Sequence, residues 1–371
     1  MIKVIDIICD LSFGDTGKRE ISYSLNKSSK YTHSMRVNGG SNSGGTVHYE
    51  LNGTKGVFKL SQVPTGIFHG KTCIIGNGCV INLSKLHKEI RELENIGISC
   101  KDKLFIARNA HIVMSDHILE EEREGKIGTT KQGIGPCYRD KYNRTGYRME
   151  DIFKEYVSQK GEIDRIWCEG VDIEYFKPMV IDLYNYLYSP NEEISILVEC
   201  AQGFYLDIDN GEYPFVTSSH TTVAGALLNC LPWNKIDKVY GCIKAYDTYV
   251  GTKKFQPDDE IFNKLGDLGM EYGVITGRRR QCNWLDMDGL IKAARINAVT
   301  HLVVSKLDIL RELNFQEKDQ YWKVRDSQGW TLDCSNVDDF IQFIENALYD
   351  NCGMYFENIQ FKYGPEDEIM I

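Results

Sequence analysis

Two glycine-rich turns stand within the first fifty residues, each directly after an apolar run. They constrain the fold more than any other feature of the chain. The first reads Val4-Ile5-Asp6-Ile7-Ile8-Cys9-Asp10-Leu11-Ser12-Phe13-Gly14-Asp15-Thr16-Gly17-Lys18. The second reads Met35-Arg36-Val37-Asn38-Gly39-Gly40-Ser41-Asn42-Ser43-Gly44-Gly45-Thr46. Glycine lets backbone N–H groups approach a phosphate closely, and a helix N-terminus after the turn adds a favourable dipole. Lys18 supplies a point charge for a phosphate, and Asp15 suits a metal ion or a proton. Two such turns so close together imply a site for two phosphorylated molecules. The first turn is not a Walker A loop, which needs glycine at Ser12 and serine or threonine at Arg19. A single glycine turn is also ordinary punctuation between strand and helix, and Gly76-Asn77-Gly78 is too short for a dinucleotide fingerprint.

Apolar runs of strand length recur at residues 4–9, 73–75, 104–107, 194–200, 239–245 and 300–305. Several lack alternation, as strands buried on both faces do. Between them, Leu83, Leu86, Ile90, Leu93 and Ile96 fall at helical spacing, and residues 287–298 form a second, less regular helical pattern. Alternating strand and helix predicts an α/β fold with a mainly parallel central sheet covered by helices. No repeat, low-complexity tract or linker divides the chain, so residues 1–371 are expected to form one domain with long functional loops. Such sheets place ligands in the loops after their strands.

Hydrophobic residues make up 42% of the 371, enough for a large core, which excludes disorder. A net charge of −10 argues against non-specific binding to nucleic acid, so local basic clusters need a local purpose. The 12 cysteines are scattered without a C-x-x-C pair and point to reduced thiols in a cytoplasmic protein. No signal peptide and no membrane-length apolar stretch is visible.

Four further segments suit ligand chemistry. The stretch from Ile127 to Pro136 is rich in glycine and threonine, and Glu199-Cys200-Ala201-Gln202-Gly203 offers an amide after a strand. Thr276-Gly277-Arg278-Arg279-Arg280 places three arginines in an acidic chain, suited to carboxylate or phosphate. In Lys306-Leu307-Asp308 a lysine stem covers a purine while the carboxylate accepts guanine N1–H and N2–H, which adenine cannot offer. Each is compatible by itself with a solvated surface loop.

Taken in order, these pieces resemble the adenylosuccinate synthetase family, from Val4 to Pro365. The resemblance rests on Phe13-Gly14-Asp15-Thr16-Gly17-Lys18, Asn42-Ser43-Gly44, Val63-Pro64-Thr65-Gly66, Ile127-Gly128-Thr129-Thr130 and Gly133-Ile134-Gly135-Pro136. It continues through Ala201-Gln202-Gly203, the segment from Tyr213 to Ser219, the arginine triplet and Lys306-Leu307-Asp308. It implies a P-loop-related architecture and ligation of L-aspartate to C6 of IMP, with GTP and Mg²⁺, through a 6-phosphoryl intermediate. By resemblance Asp15 is the base and a magnesium ligand, the Gly44 carbonyl is a second ligand, and Lys18 and Gln202 stand at the reacting centre. Asn42, Thr130, Gln202 and Thr217 match IMP contacts. Arg144 matches an arginine that reaches IMP from a neighbouring subunit, which implies a homodimer. Thr276, Arg278 and Arg280 match the aspartate loop. Gly14, Thr16, Gly17, Lys18, Gly45, Thr46, Lys306, Asp308 and Gly364 match positions around GTP.

The departures cluster at the reacting centre. The family's second turn ends Gly-His-Thr, its histidine serving as general acid, and here that position is Gly45. General acid–base groups contribute about 10²–10⁴-fold. Thr16 replaces a glutamate, Arg19 a glycine and Glu20 a lysine, Ile275 replaces a threonine, and the segment from Thr248 to Phe255 is altered. His48, three residues beyond Gly45, is expected on the following strand, out of reach unless the loop bends. Three other readings follow. The chain could act on dGMP, although the relatives that do so typically carry serine at the Asp15 position. It could use another amine donor, or be a non-catalytic nucleotide-binding paralogue.

Overall fold

The opening apolar run lies in the interior of a sheet. In β1 (Ile2–Asp10), Ile5, Ile7 and Cys9 join one core cluster while Ile8 joins another. Both faces are therefore covered, which is why the run shows no alternation. The computed structural model describes residues 1–51, 53–124, 128–158, 172–189, 192–273, 277–318, 321–352 and 357–364. After β1 come β2 (His33–Arg36), β3 (Gly45–Leu51), β4 (Thr54–Leu60), β5 (Thr72–Ile75), β6 (Val80–Ile81), β7 (Leu104–Ala107) and β8 (His111–Ile112). These are followed by β9 (Val180–Ile181), β10 (Ile194–Glu199), β11 (Ile236–Lys244), β12 (Tyr246–Tyr249) and β13 (Gln281–Asp286). The last are β14 (His301–Ser305), β15 (Lys323–Arg325), β16 (Thr331–Asp333) and β17 (Asn358–Phe361).

Nine strands form one sheet in the order β17-β14-β11-β1-β10-β2-β5-β7-β9. Every neighbouring pair in it is parallel. In register, Ile7 stands between Val198 of β10 and Val239 of β11. A separate sheet runs β12-β13-β15-β16, and β3 and β4 form an antiparallel hairpin that pairs with no other strand among the described residues.

Helices cover the large sheet. The helix Lys18–Asn26 presses Ile21 and Leu25 onto Ile8, Leu197, Tyr240 and Val303. The helix Met287–Ile296 packs Leu290, Ala293 and Ala294 into the larger cluster with Ile5 and Ile7. The helix Leu83–Asn95 starts at Asn82, whose side chain accepts the Lys85 N–H at 2.9 Å, and buries Leu86, Ile90 and Leu93. Burial of each such leucine or isoleucine contributes about 1.5–3 kcal/mol. The described cysteines are free, and among the described residues no helix is long and apolar enough to cross a membrane.

Three histidines, His33 and His111 buried and His69 half-buried, set an acid limit on this fold. Burial holds His33, His69 and His111 at about 4, below the ordinary 6.5. The unfolded chain therefore takes up protons between pH 6.5 and 4 that the native chain refuses. Stability falls as the pH drops through that window. Thermal unfolding followed from pH 7 to pH 4 is expected to show a Tm falling by several degrees. His111→Gln is expected to flatten the fall.

The parallel order fixes the position of the site. β14, β11, β1, β10 and β2 are contiguous, so the loops at their carboxyl ends converge above the centre of the sheet.

Candidate active site

The first turn leaves β1 at Asp10 and enters the helix Lys18–Asn26 through Gly17, whose φ is 86°. Gly14 and Asp15 also take positive φ, 93° and 58°. An aspartate rarely adopts this conformation, and side chains held so cluster at functional positions. Asp10, given no role in the sequence reading, organises the turn. Its carboxylate accepts the N–H groups of Ser12 (2.9 Å) and Gly14 (3.2 Å), the Thr16 hydroxyl (2.5 Å) and Lys18 Nζ (2.9 Å). Lys18 also donates to the Gln202 carbonyl at 2.8 Å, which ties the turn to the loop after β10.

A cavity of about 1070 Å³ opens above these strand ends. Gly14, Asp15, Thr16, Gly17 and Lys18 of the first turn line it together with Asn42, Gly44, Gly45 and Thr46 of the second. Thr130, Gln202, Thr217, Arg278, Arg280, Lys306, Asp308 and Gly364 complete the expected set. Thr276 lies outside the described residues. Arg144 is exposed and does not line the cavity; it ends the helix Ile134–Asn143 with φ 65°. Asn38, unremarked in the sequence, locks the second turn in place: its side chain accepts the Ala201 N–H at 2.7 Å and donates to the Ala201 carbonyl at 3.3 Å. Gln202 Nε2 then reaches Asn42 Oδ1 at 3.2 Å.

The arginine triplet divides. Arg278 donates to the Gly128 carbonyl at 2.7 Å, joining its loop to the glycine–threonine stretch. Arg279 turns away to Asp267 at 2.7 Å, because successive side chains in extended backbone point to opposite sides. The three arginines read together from sequence thus present two to the cavity. Arg280, expected on a substrate carboxylate, is engaged within the protein: it stands 2.8 Å from Asp15 Oδ2 and also pairs with Glu271. Glu271 is buried. Burial raises its pKa, but Lys244 (2.8 Å) and Arg280 overcome that and bring it down to about 2.

Asp308 presents a different picture. It sits in the first turn of the helix Leu307–Glu317, and burial raises its pKa. Its Oδ1 is buried without a hydrogen-bond partner among the described residues. Lys306, with φ 68°, extends its stem along the cavity and donates to the Gly269 carbonyl at 3.1 Å. A buried carboxylate oxygen without a partner is costly, and the residue that carries it lines the cavity.

The space beside Gly45 is filled. A Cβ on Gly45 would lie 2.3 Å from Arg19 Cγ and 2.8 Å from Arg19 Cβ. The Arg19 guanidinium runs on to Glu199 Oε2 at 2.6 Å, to the Val63 carbonyl at 3.2 Å and to the Ser61 carbonyl at 2.8 Å. Glu199 is buried and also accepts from Ser34 and from the Thr65 N–H and hydroxyl. Arg19 and Gly45, two separate departures in the sequence, are one steric arrangement.

A cavity over the carboxyl ends of a parallel sheet, flanked by a phosphate-type turn, marks an α/β enzyme that handles nucleotides. Residues 7–168 and 168–317 match the family model described as adenylosuccinate synthetase. The adenylosuccinate synthetase of Caldanaerobacter subterraneus subsp. tengcongensis is 36% identical over 402 aligned positions, spanning 98% of this chain and 91% of that protein. That of Bacteroides fragilis is 39% identical over 341 positions, spanning 82% of this chain and 78% of its own. Among solved structures, the fully ligated adenylosuccinate synthetase from Plasmodium falciparum matches with a TM-score of 0.77 at 26% identity, covering 99% of this chain and 98% of that one. The succinoaminodeoxyadenylate synthetase of cyanophage S-2L, bound to dGMP and with dATP as energy donor, shares the fold at a TM-score of 0.70 and 20% identity, covering 98% and 94%. The chain belongs to the adenylosuccinate synthetase family, and is thus a ligase that forms a carbon–nitrogen bond between aspartate and a purine nucleotide.

Proposed function

We propose that the chain joins L-aspartate to C6 of IMP with GTP as the phosphoryl donor and Mg²⁺ as the metal. Asp308, which lines the cavity beside Lys306, carries this reading. It offers an acceptor for guanine N1–H and N2–H in the cavity that the phosphate-type turn also lines.

The chemistry assigns the remaining groups. Purine O6 is a poor leaving group, so it must first be phosphorylated. Asp15 accepts the N1 proton, which makes O6 nucleophilic. A bond forms between O6 and the γ-phosphorus while the bond to the β-phosphate oxygen breaks, and Lys18 neutralises the charge that develops there. The aspartate amine then attacks C6, the C6–O6 bond breaks, and one amine proton leaves with the phosphate. Asn42, Thr130, Gln202 and Thr217 hold the IMP, while Arg278 and Arg280 receive the amino-acid carboxylates. The Asp15 carboxylate and the Gly44 carbonyl form an all-oxygen donor set on facing turns, which fits Mg²⁺. When bound, the ion supplies Lewis-acid neutralisation of phosphate charge. Arg144, exposed and away from its own cavity, serves the site of a second subunit in a homodimer.

The test uses purified chain with Mg²⁺, IMP, aspartate and either GTP or ATP. Phosphate release coupled to an ultraviolet shift is expected with GTP. Asp308→Ala is expected to erase the preference for GTP over ATP by about 10-fold or more. Turnover with dGMP but none with IMP would replace the IMP assignment, and unaltered GTP preference in Asp308→Ala would remove the guanine assignment.

A further inference from the structure

The loop that carries the arginine triplet has a paired neck. Residues 271–273 run antiparallel to residues 278–280, with Tyr272 bridged to Arg279. The Arg280 N–H donates to the Glu271 carbonyl and the Gly273 N–H to the Arg278 carbonyl, both at 2.8 Å. Glu271 and Arg280 therefore stand opposite each other at the base of the loop that brings Arg278 to the cavity. Their side chains meet as well. Arg280 Nη1 donates to Glu271 Oε2, while Nη2 stands 2.8 Å from Asp15 Oδ2.

Glu271 is held in turn from the sheet. Its Oε2 also accepts Lys244 Nζ at 2.8 Å, at the end of β11, and its Oε1 accepts the Tyr246 hydroxyl at 2.7 Å, at the start of β12. Lys244 donates further to the Thr248 hydroxyl at 3.0 Å. Gly269 makes room for this junction: a Cβ there would run into the Tyr246 hydroxyl and lie 3.1 Å from Glu271 Cγ. The Glu271 and Lys244 side chains are 0% and 3% exposed. Their charges cancel, and Arg280 carries the remaining positive charge to the cavity, which it lines beside Asp15.

We infer, on the reading above that Arg280 receives an amino-acid carboxylate, that Glu271 is a positioning residue: it clamps the Nη1 side of Arg280, with Lys244 as its anchor, so that Nη2 is fixed between Asp15 and the incoming carboxylate. Each terminal nitrogen of a guanidinium carries two hydrogens in a rigid plane. One nitrogen tied to a buried carboxylate therefore fixes where the other points. Of the two hydrogens on Nη2, one serves Asp15 and the second is the donor for the substrate. Glu271 is fully buried and acts only through Arg280. Without the clamp, the long side chain regains its rotamers, and amino-acid binding has to order it again.

Steady-state kinetics of the full chain test this, with whichever purine nucleotide it turns over fastest. Glu271→Gln alone would leave Lys244 buried and unpaired, so the variant used is Glu271→Gln with Lys244→Met, which removes both charges and is expected to fold. Its KM for aspartate is expected to rise about 10-fold or more, while its KM for the nucleoside triphosphate stays within about twofold. The second constant is a sharp control. Lys306 donates to the Gly269 carbonyl at 3.1 Å, two residues before Glu271, so a segment that had merely loosened would raise both constants. An aspartate KM within twofold of the unaltered chain, or an equal rise in both constants, would overturn the inference. If the double variant does not fold, Glu271→Asp decides by the same comparison. It keeps the charge beside Lys244 and draws the carboxylate back from Arg280, and its aspartate KM is expected to rise about 3-fold or more. Arg280→Ala separates the two readings. An unchanged aspartate KM there removes Arg280 from the carboxylate, and the inference with it. A raised KM there, with none in the Glu271 variants, removes Glu271 alone.

Discussion

Asp15→Asn is expected to lower turnover by about 10²–10⁴-fold, the range for loss of a general base, while leaving Tm within a degree or two. The two outcomes separate for a structural reason. Asp15 is partly exposed and, among the described residues, makes one ion pair, to Arg280 at 2.8 Å. Arg280 keeps Glu271 when Asp15 is neutralised, so no buried charge is stranded. Asparagine matches aspartate in volume and tolerates the φ of 58° as well as any residue but glycine. What it lacks is the anionic oxygen that takes a proton or a metal ion. A calorimetric titration with a GTP analogue is expected to show nucleotide binding retained at least in part, and a steady-state assay to show kcat lost. Full activity in Asp15→Asn would remove Asp15 from the chemistry. The same variant tests the shared site. Mixed with Arg144→Ala subunits, it is expected to regain about a quarter of wild-type activity, because each hybrid dimer then contains one site with both residues intact. No recovery on mixing would mean that Arg144 does not act across an interface.

What the sequence revealed and what it hid divide along a physical line. Strands buried on both faces are continuous apolar runs, so β1, β5, β7, β10, β11 and β14 were readable directly. β2 was not, because His33-Ser34-Met35-Arg36 has no apolar period; its burial comes from its neighbours β10 and β5. β3 carries a readable alternation in Val47, Tyr49 and Leu51, yet its pairing with β4 alone depends on a turn rather than on periodicity. The glycine turns and Lys306-Leu307-Asp308 were visible because each is local. The charges that hold these loops were not: Asp10, Glu199, Lys244 and Glu271 are buried, and Glu199 takes its partner Arg19 from the far end of the chain. A signal did exist. Lys244 and Glu199 stand within or at the end of apolar runs, and a charge there requires a buried partner. Sequence indicates that such a partner exists, and only the folded chain shows which one it is.

Gly45→His, which puts back the histidine that the family carries at this position, is expected to impair the protein. Even the first carbon of that side chain would stand 2.3 Å from Arg19 Cγ, so Arg19 must leave. Its departure strands Glu199, which is buried and takes its guanidinium at 2.6 Å. Removing one partner of a buried ion pair costs about 3–5 kcal/mol. The cleanest measurement is a double-mutant cycle with alanine, which adds only the clashing carbon. Gly45→Ala in the natural background is expected to cost about 1–3 kcal/mol through overpacking. In an Arg19→Gly background, where the space is empty, the same change is expected to cost less than about 0.5 kcal/mol, and the difference is the coupling between the two positions. Denaturant unfolding of the four proteins gives that number. Additive effects would show that Arg19 has somewhere else to go and that the two departures are independent. Activity adds a second reading of the same pair. Arg19→Gly combined with Gly45→His recreates the glycine and histidine found at these positions in the family, and it is expected to turn over faster than Gly45→His by roughly 10-fold or more. The gain arises because the imidazole then has room at the end of the second turn. Loss of the histidine at 45 and gain of the arginine at 19 are thus one exchange of volume between two loops. The arginine that took the space now ties the Ser61 and Val63 carbonyls, beyond β4, to Glu199 at the end of β10.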